Sequence, residues 1–225
     1  MITLLRTSAV LLGGRRYWLL PLLPLVWLGV QALMLVAGMR PALEPAAAQN
    51  SLIGVPVAVL AIFLGGRIIT GELDQHSLEI AYTVPGGAHR VWLGKLAAAI
   101  LMLLVSLVLL AIITYAFFTD FPLLPSLYGA TQGVVFYLVA AMGFATLFRS
   151  DVAGSLATIG LLGLNRLLNP LRISPFWNPL AVEEADAAQM LALSVQNRIG
   201  TALAIAAIVA LTFTRAERRE KMLSG

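Results

Sequence analysis

Val91–Phe118 reads VWLGKLAAAILMLLVSLVLLAIITYAFF, a run in which Lys95 is the only charged residue. A helix needs about 20 consecutive apolar residues to cross the hydrocarbon of a bilayer. This run exceeds that, and its single charge stands near one end, where a long lysine stem reaches the interface. Five more segments approach the same length: Tyr17–Gly38, Leu52–Thr70, Leu127–Phe148, Val152–Leu168 and Ile199–Phe213. The last two are short for a straight crossing, and the fifth carries Asn165 and Arg166. The reading is an all-α polytopic membrane protein with six transmembrane helices.

Composition supports it. Of 225 residues, 60% are hydrophobic and 12% charged, about half the charged share of an ordinary soluble domain. Lipid must therefore solvate much of the chain. No polar stretch is long enough for a separate soluble domain, so residues 1–225 form a single transmembrane domain. The net charge is +4, but the basic residues are scattered and form no stripe for nucleic acid. The chain has no cysteine, which excludes disulfides and thiolate chemistry. The apolar run Tyr17–Met39 exceeds the roughly 7–15 residues of a signal-peptide core, so the first span is expected to stay uncleaved.

Six spans sort the basic residues onto two sides. One side collects Arg6, Arg15, Arg16, Arg67, Arg90, Lys95, Arg149, Arg215, Arg218, Arg219 and Lys221; the other has Arg40, Arg166, Arg172 and Arg198. The richer side is expected in the cytoplasm, together with both termini. The far side holds Glu183, Glu184 and Asp186, a place for a cation or, equally, an acidic helix start. Pro41, Pro45, Pro122 and Pro125 fall between spans, where a missing N–H costs little. Pro21, Pro24 and Pro56 fall in the early turns of spans, where membranes tolerate kinks. Tyr17, Trp18, Trp92 and Tyr128 mark span ends and are read as an interfacial aromatic belt. Ahead of the first span, Leu4, Leu5, Ala9, Leu11 and Leu12 form an apolar stripe apart from Arg6, Arg15 and Arg16. That pattern fits an amphipathic N-terminal helix in the cytoplasmic interface, or a basic flank anchoring span one.

The polar stretch between spans two and three is the richest in chemistry: GELDQHSLEIAYTVP, Gly71–Pro85. A helix here sets Glu72, His76 and Glu79 on one face and Leu73, Ser77, Ile80 and Val84 on the next. Pro85-Gly86-Gly87 ends it and turns the chain. One histidine and two carboxylates are a thin ligand set for zinc, and no second histidine falls in register, so no metal site is expected. A solvated loop helix and a docking helix for a cytoplasmic partner both fit.

These residues resemble the first cytoplasmic loop of permease subunits from type-2 ATP-binding-cassette (ABC) exporters. That family carries an acid at the end of span two, then Gly-Thr-Leu-Glu, a few apolar residues, a proline, and Gly-Lys at the start of span three. The matching residues here are Glu72, Ser77-Leu78-Glu79, Pro85 and Gly94-Lys95. Serine replaces the threonine, and His76 stands where glycine is usual. Six spans, a basic N-terminus, an irregular segment before span six and a basic tail also suit the family. The resemblance implies a short cytoplasmic coupling helix around Asp74–Tyr82, in the loop 71–90, seated in a groove of an ATPase. The ATPase-coupling residues would be Glu72, Asp74, His76, Ser77, Leu78, Glu79, Tyr82, Pro85, Gly94 and Lys95. Two ABC ATPase subunits and a second permease, identical or paralogous, would complete a transporter in a bacterial or archaeal plasma (inner) membrane. ATP and magnesium would belong to the ATPase. This chain has no G-x-x-x-x-G-K-[ST] phosphate loop, so it is expected to carry no cofactor and no catalytic residues. The alternatives are a non-transporting membrane scaffold or assembly subunit, and a secondary transporter, which the lack of acids inside the spans weakens.

The extracytoplasmic segment 169–198 is rich in proline and asparagine at its start. In the resembled family an outer gate sits here, which makes Arg166, Asn169, Phe176 and Trp177 its residues; an interfacial loop anchored by Phe176 and Trp177 fits as well. Gly154, Ser155, Ala157, Gly160 and Gly163 let span five approach a neighbour closely, within the chain or in a second copy. Intramembrane protease chemistry has no support, since both histidines, His76 and His89, lie in one polar loop.

Overall fold

The structure is a computed structural model that describes residues 2–39, 48–74, 87–167 and 187–218. Among the described residues every regular element is helical. In chain order these are α1 (Ile2–Gly13), α2 (Leu23–Val36), α3 (Val55–Asp74), α4 (Ala88–Phe117), α5 (Leu123–Phe148), α6 (Asp151–Leu167) and α7 (Ala187–Ala216). A 3-10 stretch, Gly14–Leu22, joins α1 to α2, and a π turn, Gln49–Gly54, leads into α3. Five stretches are long and apolar enough to cross a membrane: Leu5–Val36, Gln49–Glu72, Ala88–Phe117, Leu123–Phe148 and Leu191–Ala216. The chain is thus an all-helical protein of membrane-spanning character. Helix α6 has 17 residues, about 26 Å at 1.5 Å per residue, against a hydrocarbon core of about 30 Å.

Local chemistry sets the boundaries. Gly14 adopts φ +70°, and a Cβ on Gly13 would stand 2.4 Å from Leu20 Cδ1. The Gly13-Gly14 pair therefore lets α1 fold back onto the next stretch, as only glycine does cheaply. Pro56 has no N–H to give Leu52, and the turn before it is wound wide as a π turn. Ser150 Oγ accepts the Ala153 N–H at 3.2 Å, an N-cap that starts α6. Arg149, at φ 55°, supplies the left-handed residue that ends α5 and reverses the chain.

Contacts give the helix directions. Gln49 Nε2 donates to the Ser126 carbonyl at 3.5 Å, while Gly65 lies against Leu138 and Ala141, so α3 and α5 run parallel. A Cβ on Gly65 would fall 2.1 Å from the Leu138 carbonyl oxygen; this crossing exists because the residue is glycine. Helix α4 returns antiparallel beside α3, with Lys95 against Ile68. Helix α6 is antiparallel to α5, its Gly154 seated on Ala145. Helix α7 runs with α5, through Arg198 and Gln132 near one end and Arg215 and Leu147 near the other. Leu64, Ile68, Leu103, Leu107, Leu110 and Leu138 fill the centre, whereas α2 and α7 expose Leu33 and Leu211, each 70% accessible.

Three expectations change. The last helix starts at Ala187, well ahead of Ile199, so residues 187–198 belong to it. Ala187–Val195 is made largely of good helix formers, and Gln196-Asn197-Arg198 separates it from the apolar run that begins at Ile199. In the N-terminal stripe, Ala9 and Leu12 are buried with Ser8 while Leu11 is 48% exposed; this face packs into the bundle, chiefly on α4. Trp92, read as interfacial, is fully buried. Trp18 and Tyr128 are exposed, as a belt requires. The small residues of α6 divide: Gly154 touches α5, and nothing lies within 4 Å of where a Cβ would stand on Gly160 or Gly163.

Candidate functional site

The junction of α3 with α4 is a buried ionic clasp. Glu72 stands two residues before the end of α3, and Trp92 and Lys95 lie one turn apart near the start of α4. The antiparallel α3–α4 pair brings all three together. Lys95 Nζ lies 2.8 Å from Glu72 Oε1 and also donates to the Ile68 carbonyl at 3.2 Å. Trp92 Nε1 donates to Glu72 Oε2 at 3.1 Å. Lys95 is 3% exposed, Glu72 6% and Trp92 0%. Each carboxylate oxygen thus faces a separate donor, and the ammonium faces both a charge and a carbonyl one turn back on α3. A buried pair persists only with such additional hydrogen bonds.

The clasp is packed from a third side. The rings of Trp92 and Phe213, near the end of α7, lie 5.8 Å apart at 54°. One turn before Trp92, His89 Nδ1 is 3.7 Å from Glu217 Oε1, just past the end of α7. Arg67 lies over the Phe63 ring at 5.6 Å, and Arg215 reaches the Leu147 carbonyl at 3.4 Å. This end of the bundle therefore gathers the C-terminal ends of α3, α5 and α7 with the N-terminal ends of α4 and α6.

Of the coupling residues, Glu72 and Lys95 are brought together directly, and Gly94 sits half-buried between Trp92 and Lys95 on α4. Asp74 ends α3. His76, Ser77, Leu78, Glu79, Tyr82 and Pro85 lie outside the described residues, as do Asn169, Phe176 and Trp177 of the outer gate and the acids Glu183, Glu184 and Asp186. Arg166 lies in the last turn of α6. Among the described residues no group of three or more histidine or acidic side chains could hold a metal. Sequence reasoning missed Trp92, Ile68, Phe213 and Glu217 as parts of the clasp. The available signal was the pair of opposite charges, Glu72 and Lys95, at the two helix ends that border the loop.

The opposite end has its own polar tie. Gln132 Nε2 donates to the Arg198 carbonyl at 2.6 Å, and Arg198 Nη1 donates back to Gln132 Oε1 at 3.0 Å. The guanidinium also lies 5.3 Å over the Tyr128 ring. This reciprocal bond fastens α5 to α7 and explains a cation inside a span-length helix.

No family model matches the chain, and neither does any curated protein or solved structure.

Proposed function

We propose that this chain is the permease subunit of an ABC exporter, built from six crossings with both termini in the cytoplasm of a bacterial or archaeal plasma membrane. Helix α6 is the fifth crossing; its antiparallel seat between α3 and α5 supports that count, and its modest length is met by local thinning of the bilayer. The loop 71–90 carries the coupling helix, and the partner ATPase holds ATP and magnesium. A second permease, identical or paralogous, completes the translocation path.

The observation that carries the reading is the Glu72–Lys95–Trp92 clasp. A coupling element needs rigid ends: a push on a loop moves its flanking helices only if they do not slide past one another. The clasp joins α3 to α4 where the loop begins and ends, and the Trp92–Phe213 contact extends the joint to α7. On this reading Glu72 and Lys95 are positioning residues that the ATPase never touches, and recognition belongs to Ser77, Leu78, Glu79 and Tyr82. The basic residues around the joint, Arg67, Arg90, Arg149 and Arg215, favour this end as the cytoplasmic one.

Affinity purification of the tagged chain from its native membrane in mild detergent tests the proposal. A stoichiometric ABC ATPase subunit is expected in the eluate, lost on Leu78→Asp and retained in Lys95→Met. A chain repeatedly recovered without an ATPase would point to a scaffold subunit and overturn the reading.

A further inference from the structure

A crevice between α5, α6 and α7 ends at a pair of arginines. Its walls are Ala140, Gly143, Phe144, Leu161 and Ile208, and its volume is about 340 Å³. Leu211 and Arg215 line it and also line an adjoining hollow of about 270 Å³ whose other walls include Arg218. The two hollows therefore adjoin at Leu211 and Arg215, the first apolar along the bundle and the second basic at the end that gathers the clasp. Gly143 lets α7 pack closely along one wall, since a Cβ there would stand 3.1 Å from Ile208 and 3.2 Å from Thr212 Oγ1. The nearest acid in sequence, Glu217, faces His89 across the bundle. Arg215 spends one donor on the Leu147 carbonyl, which anchors the guanidinium at the rim and leaves its other donors for a ligand.

We infer that this crevice holds an anionic phospholipid, one acyl chain lying along Ala140, Leu161 and Ile208 and the headgroup phosphate held by Arg215 and Arg218. The shape excludes a free anion as the natural occupant: the apolar limb is the larger part, and an inorganic ion gains nothing from it. The arginine mouth separates this site from ordinary lipid-facing grooves. An apolar hollow of comparable kind, between α2 and α3 around Leu20, Pro24, Val59 and Phe63, has no charged residue in its walls. Basic pockets between spans select anionic headgroups by charge and by forked hydrogen bonds. The inference needs the chain to lie in a membrane, and it holds whether or not an ATPase is its partner.

Native mass spectrometry of the delipidated, detergent-solubilised chain tests it. Phosphatidylglycerol and phosphatidylcholine with identical acyl chains are titrated separately. One phosphatidylglycerol is expected to stay bound in preference to phosphatidylcholine, with about a fivefold loss of that preference for each of Arg215→Gln and Arg218→Gln. Leu211→Trp, at an exposed position, fills the junction of the two hollows and should release the lipid without changing the helix content by circular dichroism. Equal retention of the two lipids overturns the site. So does unaltered preference in the double Arg215→Gln/Arg218→Gln variant. Displacement of phosphatidylglycerol by millimolar inorganic phosphate would show an ion site and overturn the acyl-chain seat.

Discussion

Removing one partner of the Glu72–Lys95 pair should cost more than its contact energy implies, and a double-mutant cycle measures why. At 2.8 Å and an effective dielectric of 20, the gross attraction is about 6 kcal/mol. Desolvation of two ions cancels most of that, so the intact pair contributes little net stability. The single variants are different. Lys95→Met takes the ammonium away from a carboxylate that is 6% exposed and accepts from Trp92. Glu72→Gln leaves an ammonium, 3% exposed, against a carbonyl and an amide. Each stranded charge costs about 3–5 kcal/mol. With both groups this deeply buried, solvent screening offers little relief. The double variant Glu72→Gln/Lys95→Met strands neither charge, so it should recover most of the summed single losses. Equilibrium unfolding in mixed micelles, followed by circular dichroism, reads all four corners of the cycle. Single losses under about 1 kcal/mol, or losses that simply add, would refute a buried clasp and leave a solvated surface pair in its place.

Other outcomes follow from the packing. Gly65→Ala should destabilise by at least about 1–3 kcal/mol, because its Cβ meets the Leu138 carbonyl; Gly160→Ala, in open space, should be neutral or stabilise by up to about 1 kcal/mol in the same unfolding assay. Gln132→Leu should cost about 1–3 kcal/mol by stripping Arg198 of both reciprocal bonds, whereas Gln132→Glu, which loses the bond to the Arg198 carbonyl but pairs with the guanidinium, should cost less; thermal melts of the two variants side by side make the comparison. The chain has no cysteine, so single thiols report topology cleanly. Asp120→Cys and Leu167→Cys should react with an impermeant maleimide added outside intact cells, and Arg218→Cys only after permeabilisation; labelling of Leu167→Cys from the inside alone would show that α6 does not cross.

Hydropathy and length were enough to read an all-helical membrane chain, because the hydrocarbon core imposes a minimum apolar run and Val91–Phe118 exceeds it. Two charges bordering a polar loop were legible as well, and the structure brings both together. The partnering of those charges was not. Trp92 looks like any tryptophan near a span end, and whether it faces headgroups or a carboxylate depends on which helix stands beside it. The start of α7 was hidden for a related reason: Gln196-Asn197-Arg198 interrupts the apolar run ahead of Ile199, and the helix carries through it with Arg198 hydrogen-bonded by Gln132 from another helix. Sequence determines what each segment can tolerate as solvent, since that is a sum over its own side chains. Only the tertiary structure decides which polar groups meet, since the clasp, the α5–α7 tie and the arginine-rimmed crevice each join residues from helices far apart in the chain.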